Sequence, residues 1–214
     1  MEDTMRHRGM RRLLMEKIRD KGIQDPEVLR AMNALPRHFF LDSAFQKRAY
    51  EDVPFSIGAG QTISQPYTVA RQTELLRVAK RQKILEIGTG SGYQASVLAL
   101  LGARVFTVER QRELYERTRQ FLPRIGFPQI RCYYRDGSLG LPEFAPFDRI
   151  IATAGAPTLP EGLLDQLAPN GIFVIPVGKV QQRMLRFTKL ADGTIQEEDF
   201  GGYRFVPLLG GKSG

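Results

Sequence analysis

From residue 83 onward the apolar positions follow two rhythms in turn. ILEIG, RVFTVE, IRCYY, FDRIIAT and GIFVIPV are short apolar runs that read as strands. YQASVLALL, RELYERTRQFL and PEGLLDQL carry apolar residues at helical spacing. Strand and helix in regular alternation predict a doubly wound, Rossmann-like α/β sheet. MLRFTKL, the turn ADG and a β-like run ending in FVPL then predict antiparallel strands completing one edge.

Before that point the pattern changes. Met10, Leu13, Leu14 and Ile18 recur at helical spacing, and Arg6, Arg8, Arg11, Arg12, Lys17, Arg19 and Lys21 lie around them, which predicts an amphipathic helix with a solvated basic face. A second helix starts at Asp25 with Pro26 in its first position, uses Val28, Leu29 and Met32 as its apolar face, and stops at Pro36. Irregular, aromatic-rich sequence follows up to the GQTISQP segment, and a helix runs through ARQTELL after it. Residues 1–60 are therefore expected to form an N-terminal helical cap folded onto a catalytic unit of residues 61–214, the whole being one compact body.

Composition narrows the class. The 214 residues are 42% hydrophobic and 25% charged, ordinary usage for a folded globular chain. No apolar run approaches the ~20 residues that a membrane span needs, and MEDTMRHRGM lacks the apolar segment of a signal peptide, so a cytoplasmic protein without membrane contact is expected. Cys132, the only cysteine, excludes an internal disulfide and reads as a small strand residue. The formal charge of +8 raises nucleic-acid binding. Acidic residues among the basic ones, and the lack of zinc-finger spacing or an aromatic RNA-binding motif, make a nucleic-acid partner unlikely. His7 is expected to be exposed and His38 packed.

Candidate chemistry starts at EIGTGSGYQ. A strand delivers the chain to Gly88, Gly90 and Gly92 and a helix leaves, so backbone can approach a ligand where side chains would block it. A dinucleotide loop of G-x-G-x-x-G type survives only in the frame from Gly90, with Ala95 in the third slot. Glu86 just before the loop would repel a pyrophosphate and suit the cationic methionine end of S-adenosylmethionine. Glu109 closes the second strand, where a carboxylate can accept from ribose hydroxyls, and Asp136 with Gly137 follows the third, where they could read an adenine.

GQTISQP, LEIGTGSGYQ, DGSLG, ATAGAP and the late FVPL, in that order, resemble the protein-L-isoaspartate O-methyltransferase family. The resemblance implies a class I methyltransferase fold and methyl transfer from S-adenosyl-L-methionine to the free α-carboxyl of L-isoaspartyl residues in damaged proteins and peptides. It also implies that Ser64, at the family's active-site serine position, and Thr62 beside it position the substrate. The acceptor is a carboxylate, a group that ordinarily titrates at about 3.9 and is already ionised near neutrality, so no catalytic base is required. Gly155 stands where an alanine is common in that family, and longer C-terminal cofactor contacts are not carried over to this chain. ATAGAP and YRFVPL are expected to be suited to backbone pairing with substrate. The rival readings are a nucleic-acid methyltransferase, which calls for an Asn/Asp-Pro-Pro-aromatic motif where ATAGAP stands, a non-catalytic nucleotide-binding module, and an NAD-dependent oxidoreductase.

Overall fold

A computed structural model describes residues 2–213. A hairpin of β1 (Phe55–Gly58) and β2 (Gln61–Ile63) precedes the main sheet. That sheet is built from β3 (Lys83–Ile87), β4 (Arg104–Glu109), β5 (Arg131–Tyr134), β6 (Phe147–Ala152), β7 (Leu167–Val177), β8 (Gln182–Lys189) and β9 (Ile195–Tyr203). The order across it is β5-β4-β3-β6-β7-β8-β9. The first five strands are parallel, and β8 and β9 add antiparallel, as the patterning predicts. Because the chain enters at β3 and winds outward both ways, the order reverses between β3 and β6. Ligands of such sheets bind at that crevice, beyond the strands' carboxyl ends.

Alternation along the strands feeds two cores. Ile84 and Val105 join the cluster on one face, whereas Leu85, Ile87, Phe106 and Val108 join that on the other. The first cluster also takes in Leu14, Ile18, Val28 and Met32 from the helices α1 (Met5–Asp20) and α2 (Pro26–Ala34). The cap thus shares a core with the sheet, and residue 60 falls in the turn of the β1–β2 hairpin.

Two helices differ from expectation. On α1 the inward stripe is Arg11, Leu14, Met15 and Ile18, while Leu13 is 62% exposed. Arg11 leaves the expected basic face because Asp3, the Asn33 carbonyl and the Tyr50 hydroxyl satisfy its guanidinium inside. PEGLLDQL gives only one turn, α6 (Glu161–Leu164). Gly162 disfavours propagation, and the Gln166 side chain turns back to bond the backbone of Leu139, Leu141 and Gly162. The remaining helices, α3 (Pro66–Leu76), α4 (Tyr93–Leu100) and α5 (Arg112–Arg124), lie where the spacing places them. No helix among the described residues is long and apolar enough to cross a membrane.

Candidate active site

The loop from β3 to α4 has positive φ at all three alternate glycines: +97° at Gly88, +52° at Gly90 and +82° at Gly92. A Cβ on Gly88 would stand 2.5 Å from Thr153 Oγ1, whose hydroxyl donates to the Gly88 carbonyl at 2.6 Å. The Gly90 N–H donates to Glu109 Oε2 at 2.9 Å and the Gln111 N–H to Oε1 at 2.8 Å, fixing the carboxylate at the end of β4. Gly88, Gly90, Glu109 and Gly137, with apolar Ile87 and Leu208, line one cavity. Glycine at 137 is forced by space, since a Cβ there would meet Ile87 Cγ2 at 2.6 Å. A partly apolar slot with one fixed carboxylate at its side and glycine backbone in its lining suits a nucleoside.

Three expected cofactor residues stand outside this lining. Gly92 faces α5, where a Cβ would meet Thr118 and Leu122, so packing requires the glycine there. Glu86 is fully buried on the other side of β3, paired across the sheet with Thr107. Thr107 donates to its Oε2 within a chain of hydroxyls from Thr89, Oε1 has no partner among the described residues, and burial pushes the carboxyl up to about 8. The structure places this group beneath the loop, joined to it through the Thr107 and Thr89 hydroxyls, and not on the cavity wall where it was expected to meet a methionine end. Asp136 is also committed. Its Oδ1 accepts from the Ser138 N–H and hydroxyl, and its Oδ2 accepts from the Gly211 N–H. Partial burial acts to raise its pKa, but these hydrogen bonds outweigh it and hold the carboxyl below its ordinary value.

Thr62 and Ser64 come together on the other flank. Thr62 lines the cavity, and with Thr153 and Val206 it also lines a larger open groove, on whose wall Ser64 lies. The two spaces meet at these three residues. Ser64 does not cap α3: the N-cap is Gln65 without a side-chain bond, and Asp52 Oδ1 accepts from the Tyr67 N–H at 2.8 Å instead. The Ser64 hydroxyl makes no hydrogen bond to the described residues, and Ser64 lines the groove. Its carbonyl accepts from Arg37 Nη2 at 2.8 Å.

ATAGAP and the tail pair with each other. The Gly155 N–H donates to the Val206 carbonyl at 2.8 Å, and the Leu208 N–H to the Gly155 carbonyl at 2.7 Å. Gly155 is therefore not open to substrate. Its lack of a Cβ admits the Gln182 side chain, which would lie 2.2 Å from one and which clamps the N–H and carbonyl of Phe205. The run ending in FVPL thus leaves the sheet at Tyr203 to wall the site.

Both histidines sit in the cap. Their rings stack with centroids 3.9 Å apart, and His7 is half-buried where exposure was expected. With Asp3 they form the single grouping of metal-ligating types among the described residues. Asp3 is spent on Arg8 and Arg11, His7 Nδ1 on Thr4, and His38 on the Tyr50 hydroxyl and the Glu2 carbonyl. The cluster ties the start of the chain to the cap. Cys132 is half-buried on β5, its thiol pushed up to about 12 by burial.

Sequence reading named Thr153, Val206 and Leu208 only as parts of the ATAGAP and FVPL segments, and it did not name Gln111. Thr153, after the fourth strand, and Gln111, two beyond Glu109, had a positional signal. The two tail residues lie in the FVPL segment that the resemblance named, but only the fold carries them back to the crevice.

The family model described as protein-L-isoaspartate(D-aspartate) O-methyltransferase matches residues 10–213. A protein-L-isoaspartate O-methyltransferase of Cytophaga hutchinsonii is 54% identical over 211 residues, covering 98% of this chain and 95% of the relative. One of Christiangramia forsetii is 51% identical over 213 residues, covering 100% of both. Among solved structures, a protein-L-isoaspartate O-methyltransferase aligns with TM-score 0.84 at 29% identity over 94% of this chain and 66% of its own length. A Plasmodium falciparum protein of the same description, in complex with S-adenosyl-L-homocysteine, aligns with TM-score 0.80 at 26% identity, covering 92% and 96%.

Proposed function

The chain belongs to the protein-L-isoaspartate O-methyltransferase family, and from that membership we propose how its own residues divide the work. The reaction is S-adenosylmethionine-dependent methylation of L-isoaspartyl residues in damaged proteins, a repair activity. The cofactor, when bound, supplies an electrophilic methyl group on a positively charged sulfur.

Gly88, Gly90 and Gly137 leave backbone bare for the nucleoside, and Glu109 offers its carboxylate to the ribose hydroxyls. Glu86 and Gly92 act at one remove, by bracing and packing the glycine loop. Asp136 is assigned to the turn that presents Gly137. Thr62 and Ser64 orient the acceptor carboxylate where the groove opens into the cavity. This arrangement needs no general base, because the nucleophile arrives ionised. What remains is proximity and alignment, which can supply several kcal/mol of the barrier.

One observation carries the reading: a glycine-floored cavity and an open groove share Thr62, Thr153 and Val206, with Ser64 on the groove side. Residues 1–60 serve as a cap that holds the Thr62–Ser64 bend rather than as a separate module. The substrate is protein and not nucleic acid; arginines 8, 11, 30, 48, 71, 112, 135, 183 and 186 are each paired with a carboxylate, which supports this. A cytoplasmic site is supported by the lone Cys132. The decisive experiment offers a matched pair of peptides, isoaspartyl and aspartyl, with labelled cofactor. Base-labile label on the isoaspartyl peptide alone is expected; equal labelling of both, or of neither, would overturn the reading.

A further inference from the structure

Arg37 is the largest fully buried side chain among the described residues. A guanidinium does not deprotonate in proteins, so its charge must be held inside at a cost that its contacts offset. Those contacts are few. Nη2 donates to the Ser64 carbonyl at 2.8 Å, the group lies 4.9 Å over the Tyr93 ring, and Nε and Nη1 have no partner among the described residues. Asp52, the carboxylate nearby, is taken by Lys21 and the Tyr67 N–H. The hydrogen bond of Arg37 to protein runs to the carbonyl of the substrate bend, with the Tyr93 ring facing the guanidinium beside it. The same bend is pinned twice more by Asp52, whose carbonyl accepts from Gln65 Nε2 at 3.0 Å and whose side chain accepts from Tyr67.

We propose that Arg37 is a positioning residue for methyl transfer, holding the Ser64 carbonyl so that the Thr62 and Ser64 hydroxyls face the junction of cavity and groove. The proposal rests on the methyl-transfer reading of that junction. A charge-assisted bond is about twice as strong as a neutral one, and displacement of an orienting group by about 1 Å can cost on the order of 100-fold in rate. Arg37 lines neither the cofactor cavity nor the groove, and its hydrogen bond runs to the Ser64 carbonyl, so the larger effect of its removal falls on the acceptor side.

The test compares wild type with Arg37→Met, Arg37→Gln and Arg37→Lys, measuring kcat and KM for an isoaspartyl peptide and S-adenosylhomocysteine affinity by calorimetry. The methionine variant is expected to lose about 10- to 100-fold in kcat with cofactor affinity changed less than about threefold, and the lysine variant to recover part of the loss. If the methionine variant fails to fold, Arg37→Gln, which keeps a donor without the charge, is expected to lose about tenfold in kcat at unchanged cofactor affinity. Unchanged kcat in a folded variant, or cofactor affinity falling as far as kcat, would overturn the proposal. Wild-type protein inactive on the isoaspartyl peptide would instead overturn the reading beneath it.

Discussion

Replacing Glu86 by Gln should alter how stability depends on pH more than any other change at the site. Glu86 has no exposed surface, one oxygen without a partner, and a pKa raised by burial from 4.5 to about 8. Between those two values the folded protein keeps a proton that the unfolded chain releases. Stability therefore declines as pH rises through that window, and the penalty is absent below about 4.5. At about 1.4 kcal/mol per pH unit, the full window accumulates about 5 kcal/mol, and about 3 kcal/mol of it is already present at pH 7. Glutamine is nearly isosteric and cannot ionise, so the variant loses this slope while every other titrating group remains common to both proteins. Any fixed cost of the amide, on the order of 1–3 kcal/mol for an unpaired buried polar group, moves the variant's curve as a whole. Urea denaturation followed by circular dichroism from pH 5 to 9, at constant ionic strength, reads the difference. The variant should gain on wild type steadily up to about pH 8 and then stop gaining. Parallel curves across the range would refute the burial argument for Glu86.

The other predictions concern the site and its supports. Ser64→Ala should lower turnover on an isoaspartyl peptide by about tenfold or more, as for loss of an orienting contact, and leave S-adenosylhomocysteine affinity within about twofold; calorimetry showing an equal loss of affinity would remove its positioning role. Glu109→Ala should weaken cofactor binding by ~1.5–3 kcal/mol, roughly 10- to 100-fold, the value of hydrogen bonds to a charged group; unchanged affinity would discredit the ribose assignment. Gly155→Ala should destabilise by ~1–3 kcal/mol through its collision with Gln182. Combining it with Gln182→Ala should cost less than the two separate losses together, and strict additivity in thermal melts would show that the side chains do not compete for that space.

The periodicity of the chain was enough to determine the sheet. Buried runs at 83–87, 104–109 and 147–152 can only be satisfied between helical layers, and alternation with helices permits little besides a doubly wound order. It also determined which turns must be glycine, since positive φ at Gly88 and Gly90 is a property of local backbone. Glu109 was expected from its place at the end of a recognisable strand, whereas Thr62 and Ser64 were singled out only through the family resemblance of GQTISQP.

Tertiary structure alone decided what each charged group faces. A carboxylate beside a glycine loop reads the same whether it points into the crevice or away, and only the pleat of β3 sends Glu86 beneath the loop against Thr107. Arg11 reads as part of the basic face and Arg37 carries no signal of its own until packing buries them, because burial depends on partners outside their own elements: Asp3 and Tyr50 for one, Ser64 and Tyr93 for the other. ATAGAP and FVPL stand out in the sequence as segments, but that they pair with each other at Gly155 is set by the fold. Periodicity records which side of an element is apolar, whereas a site is assembled from contacts between elements distant in sequence.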